Sequence, residues 1–173
     1  MKRSAAGLGT LGFFVLAPGT IAGLVPWLIT RWRMEWVGMW PLALRALGAI
    51  VLFAGLGILA DSFARFAIQG LGTPAPPLPT AHLVVSGLYR YVRNPMYVGV
   101  AAAIFGQGLL FGSLPLLTYG VFICVAFHLF VTAYEEPSLR ARFGSEYLHF
   151  CAGVPRWVPL LRPWRADQQR PDS

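Results

Sequence analysis

Two stretches of this chain carry a density of polar side chains that the rest lacks. "GLYRYVRNPMYVG", residues 87 to 99, gathers Arg90, Arg93, Asn94 and Tyr97 around Pro95 and Gly99. Farther along, Glu135 and Glu136 stand side by side. A guanidinium, an amide, a phenol and two carboxylates can hold a zwitterionic ligand that also bears sugar hydroxyls. The same residues allow a plainer use, with arginines on lipid phosphates and glutamates capping a helix. The choice turns on whether the intervening elements bring the two stretches together.

Those elements are apolar. The 173 residues are 56% hydrophobic and only 12% charged, with a mean hydropathy of +0.59. Soluble domains carry about 25% charged residues, so the chain reads as an all-α integral membrane protein. Four spans are expected, at residues 7–30, 41–60, 96–114 and 115–134, each near the ~20 residues needed to cross the hydrocarbon core. The basic start before the first span resembles a signal peptide, but the apolar stretch is too long for one and reads as a retained helix. Gly19 and Gly23 give that helix a GxxxG face. Of fourteen Lys and Arg residues, eleven fall on inner segments if the N-terminus is inside. Only Arg31 and Arg33 lie outside, and Arg45 snorkels from the second span. This bias places both termini in the cytoplasm and Trp36 on the outer face. The net charge of +7 then suits an anionic inner leaflet rather than nucleic acid. Cys124 and Cys151 read as small apolar side chains, and no Cys/His spacing suggests a metal.

Residues 70–80, "GLGTPAPPLPT", read as an extended loop because four prolines remove donors and fix φ. The third and fourth spans, separated by "FGSLP", form a tight antiparallel hairpin. Its two cytoplasmic ends are the two polar stretches, so the fold should bring them together. After the fourth span, Pro137 is expected to open a new helix with Glu136 extended before it. Leu139, Phe143, Tyr147 and Cys151 recur every four residues, the stripe of an amphipathic helix, with Gly144 a point of weakness. His128 is an intramembrane ionisable residue two turns before Glu135 on the same face. It lines the site or makes an interhelical hydrogen bond. Gln107 reads as interhelical glue, and Asp61 with Arg65 as an i,i+4 pair.

"GLYRYVRNPMYVG" followed by "YEEPSLRARFGSEYLHFCAGVPRWVP" resembles the isoprenylcysteine carboxyl methyltransferase and phospholipid methyltransferase superfamily over roughly residues 82 to 160. Its members are small integral membrane enzymes that use S-adenosylmethionine. The resemblance implies one domain over residues 1–173, with two N-terminal spans (1–62) and a cofactor-binding hairpin and C-terminal segment (82–165). Arg93, Asn94, Pro95, Tyr97 and Gly99 would wall the methionyl part of the cofactor; His128, which no part of the resemblance assigns, would share that cofactor pocket if it lines the site. Glu135 and Glu136 would bind amino or ribose hydroxyl groups. Asn94 stands where many members have histidine, and Gly153 where members often have a basic residue that Arg156 would replace. The acceptor would be a lipophilic or lipid-linked molecule, with Arg156 and Glu146 as catalytic candidates. An amine acceptor would need a base, and Glu146 or His149 could serve.

Two rivals remain at this level. A membrane reductase of the steroid-reductase kind would use NADPH, but such proteins carry an acidic residue where Val100 stands. A non-enzymatic membrane protein would not require polar clusters at both hairpin ends.

Overall fold

The computed structural model describes residues 16–34, 40–69, 83 and 85–165. The expected start of the first span, Trp36, the loop at 70–80 and the basic residues Lys2, Arg3 and Arg170 lie outside them. Every regular element among the described residues is helical. Helix α1 covers Thr20–Thr30, α2 Leu42–Gln69, α3 Pro95–Phe111, α4 Leu114–Phe130 and α5 Glu136–Gly153. A 3-10 turn at Gly87–Arg90 precedes α3, and a π-helical turn at Val131–Glu135 joins α4 to α5. By length and composition α2 and the continuous α4–α5 helix can cross a membrane, while α1 and α3 are shorter apolar helices.

Among the described residues the most extensive helix–helix packing joins α2 to α3. Glycines make it possible. A Cβ on Gly48 would come 2.5 Å from the Leu110 nitrogen, and one on Gly55 would come 2.7 Å from the Ala103 nitrogen. From the other side, a Cβ on Gly106 would run into the Leu52 backbone, and one on Gly99 would come 3.0 Å from Leu59 Cγ. Each pair is seven residues apart, two turns on one face, so the backbones approach as they do at small-residue interfaces in membranes. The GxxxG of α1 takes no such part, since nothing lies within 4 Å of a Cβ on Gly23. That helix is tied in by polar contacts instead. Gln107 donates to the Ala22 carbonyl (2.7 Å) and the Tyr119 hydroxyl to the Ile21 carbonyl (3.0 Å). Both acceptors lie in the π-helical opening of α1. Arg45 donates to the Leu110 carbonyl (3.2 Å) at the end of α3, where a cation meets the negative end of the helix dipole.

Glu136 is not extended. Its φ and ψ of −62° and −43° are helical, and its N–H bonds to the Val131 carbonyl five residues back. Proline cannot donate to the carbonyl four residues before it and its ring crowds that carbonyl, which usually ends a helix. Here the wider π-helical turn absorbs the misfit, and the chain runs from α4 into α5 without a break. The amphipathic stripe of α5 is present: Tyr147, Phe150 and Val154 form a small core with Leu139, Phe143, Cys151 and Trp164 against it. Gly144 departs from helical geometry (φ 53°, ψ −126°), a left-handed φ that glycine adopts without strain, so the expected weak point is an actual kink.

Candidate active site

The hairpin brings the polar stretches together. Pro95 begins α3 and Asn94 stands outside it at φ −122°, since proline disfavours helical geometry in the residue before it. The Arg93 side chain therefore crosses to the start of α5, where its Nη1 donates to Glu136 Oε1 (3.0 Å) and to Cys151 Sγ (3.0 Å). Arg156 binds the same carboxylate with two bonds, Nε to Oε1 (2.6 Å) and Nη2 to Oε2 (2.9 Å). Glu136 is thus buried between two arginines. Burial pushes its carboxyl up, but the Arg156 hydrogen bond and the charges of Arg93, Arg156 and Arg140 outweigh burial and hold it below its usual range. The guanidinium of Arg156 is raised correspondingly, first by its bond to Glu136.

Glu135 faces a different environment one residue earlier. Its Oε2 accepts the Tyr97 hydroxyl at 2.8 Å, and the Tyr97 ring packs on Phe127 with centroids 4.7 Å apart. Tyr89, in the 3-10 turn, completes this side. Burial pushes its phenol up, and the charges of Glu135 and Asp61 add to that.

The C-terminal segment is laced along the first polar stretch. Arg93 N–H donates to the Pro155 carbonyl (2.9 Å), Leu160 N–H to Tyr91 (2.8 Å) and Trp164 N–H to Arg90 (2.9 Å). The Asn94 amide donates to the Arg156 carbonyl (3.2 Å), and Arg90 Nε to the Trp164 carbonyl (2.8 Å). This strap holds Arg156 over Glu136.

A family model described as phospholipid methyltransferase matches residues 43–146, more than half of the chain. The chain belongs to the phospholipid methyltransferase family. It is similar to a protein-S-isoprenylcysteine O-methyltransferase of Schizosaccharomyces pombe, 34% identical over 80 residues, which cover 46% of this chain and 34% of that protein. It is also similar to a phosphatidylethanolamine N-methyltransferase of Laccaria bicolor, 32% identical over 93 residues, 54% of this chain and 9% of that protein. The chain thus spans about a third of the length of the first relative and a tenth of the second. No solved structure matches it.

The region shared with the family runs from α2 into α5, and the strap lies beyond it. Within that region Arg93, Asn94, Tyr97, Glu135 and Glu136 come together, and Pro95 sets the helix start that aims them. Gly99 does not face this cluster; it lies in the seam with α2. His128 is exposed, and its Nδ1 accepts the Trp157 indole N–H (3.2 Å), so it meets the strap one residue past Arg156. Glu146 is exposed on α5 and makes no hydrogen bond to the cluster. Tyr89, Cys151, Trp157 and Trp164 are members that sequence reasoning did not single out. Tyr89 had a signal, since it lies inside the motif itself.

Gly153, where family members often carry a basic residue, has a local reason. A Cβ there would overlap the Trp164 indole, whose N–H is buried against it. Gly153→Ala is therefore expected to displace Trp164 and cost about 1–3 kcal/mol, the usual range for overpacking. A lower melting temperature together with a red-shifted tryptophan emission would show it; an unchanged emission would mean that the strap does not rest on this glycine.

Proposed function

We propose that the chain is an integral membrane methyltransferase with four spans and cytoplasmic termini, using S-adenosylmethionine to methylate a lipophilic or lipid-linked acceptor. The observation that carries the reading is the Tyr97–Glu135 pair set beside the Arg93–Glu136–Arg156 cluster at one end of the hairpin. Family membership and the names of both relatives support it. The arginine asymmetry supports the topology, and the 17 residues of α3 sit at the short end of the ~17–25 that can span a bilayer.

The donor set fits this cofactor. Glu135 has one oxygen engaged by Tyr97, and its other oxygen suits a ribose hydroxyl or an ammonium group. Arg93 Nε–H is buried without a partner, a donor suited to a carboxylate. S-adenosylmethionine supplies an electrophilic methyl group, whose transfer needs an in-line nucleophile and little acid–base help. Glu136 keeps Arg93 and Arg156 in fixed positions, and Tyr97 with Phe127 provides an apolar wall. In such a setting a carboxylate or thiolate acceptor gains from low dielectric as its charge is neutralised. An amine would need a base, but Glu146 is exposed and away from the cluster and His149 is packed edge-on against Trp164, so neither is well placed for that. The geometry therefore favours acceptors that are already anionic.

Purified protein should bind S-adenosylmethionine and its demethylated product in calorimetry, and not NADPH. Tyr97→Phe and Glu135→Gln should each weaken binding by about 1.5–3 kcal/mol, the range for hydrogen bonds to charged groups, while melting stays near wild type. Binding of NADPH alone would move the chain to the reductase reading.

A further inference from the structure

The strap has two edges with opposite chemistry. Its inner edge is committed, through the carbonyls of Pro155, Arg156 and Trp164 and the N–H groups of Leu160 and Trp164, to residues 90–94. Its outer edge presents Val158, 72% exposed, and Leu161, fully exposed, flanked by the exposed Arg162 and Arg165. A single exposed leucine means little. Here two large apolar side chains project from a backbone already pinned on its other edge, so they cannot fold back into the small core of α5.

The combination of apolar tips and flanking arginines is that of a segment lying in a membrane interface. Its place agrees, since the strap lies against the segment that opens α3, an apolar helix of the bundle. We propose that the strap at 155–165 is seated in the anionic cytoplasmic leaflet. Val158 and Leu161 enter the acyl boundary, and Arg162 and Arg165 take headgroup phosphates. Lipid held this way keeps the strap on the Arg90–Asn94 wall, so that anionic membrane strengthens the binding site that Arg156 helps to build. The inference rests on the membrane reading above, but not on the identity of the cofactor.

The test uses the full chain in nanodiscs of phosphatidylcholine alone or mixed with phosphatidylglycerol. A fluorophore is attached at Leu161→Cys, with the wild-type chain, whose two cysteines are partly buried, as labelling control. In anionic discs the label should be quenched by lipids carrying a nitroxide on the acyl chain and shielded from iodide in water. Arg162→Gln with Arg165→Gln should reverse that pattern. S-adenosylmethionine affinity should be about tenfold higher in anionic than in neutral discs, and the double variant should lose the difference. The scaffold protein at the disc rim is the same in both disc types, so a label open to iodide in both overturns the proposal and leaves a protein partner as what covers this edge. A seated label in a chain that binds no S-adenosylmethionine would instead remove the methyltransferase reading and leave the seating of the strap intact.

Discussion

Glu136→Leu is expected to cost about 3–5 kcal/mol of stability, the penalty for breaking a buried ion pair by removing one partner. Glu136 is 7% exposed at its side chain and bonds two arginines that are 13% and 29% exposed. Without the carboxylate two guanidinium groups face each other with no counter-charge. The double variant Glu136→Leu with Arg156→Leu should be less damaged than the sum of the single changes, because it removes one of the opposed charges. The wild-type chain should also show the matching pH dependence. Glu136 is held below its ordinary carboxylate range, so its contribution is full above the unfolded value of about 4.3 and is lost as pH falls through the folded one. Melting in detergent should therefore be level near neutrality and drop on acidification, and Glu136→Gln should flatten that drop. A Glu136→Leu protein that melts like wild type would show that the arginines are held by something else.

Gly106→Leu is the second large effect. A side chain there meets the backbone of Leu52 rather than the flexible end of a neighbour, so α2 and α3 must move apart. Overpacking costs about 1–3 kcal/mol where side chains can yield, and here they cannot. The variant should lose most of its folded yield, and Gly106→Ala should already melt lower. Gly23→Ala, with open space around it, is the matched control and should be neutral or slightly stabilising. Equal melting of Gly106→Ala and Gly23→Ala would remove the seam from the account of stability.

Much of this was legible in the sequence because it depends on composition and period. The apolar runs, the hairpin, the stripe of α5 and the convergence of the two polar stretches follow from spacing alone. The seam was missed because GxxxG draws attention to a four-residue spacing, whereas Gly48 with Gly55 and Gly99 with Gly106 act at seven. Glu136 was misjudged because the rule for the residue before proline describes the usual outcome, and a π-helical turn is the less common alternative. Its pairing with Arg156 depends on where the strap lies, and no local pattern states that. Gly153 looked like a missing cation, yet its neighbour in space is an indole eleven residues farther on.

The π-helical turn at Val131–Glu135 has a consequence for how this helix can change. Each residue added to or removed from a helix turns everything beyond it by roughly 100°. The wide turn holds one residue more than an α-helical path would, and so sets the angular phase between the apolar half of the helix and α5. With that phase, Tyr97 meets Glu135 while the stripe from Leu139 to Cys151 turns onto its own small core. Loss of one residue would let α5 keep its phase only if the turn closed to α-helical width, which the ring of Pro137 opposes. Otherwise everything beyond it would turn by roughly 100° and carry the stripe off its core. The spacing between Phe130 and Pro137 is accordingly far less free to vary than its ordinary residues, Val-Thr-Ala-Tyr, would suggest.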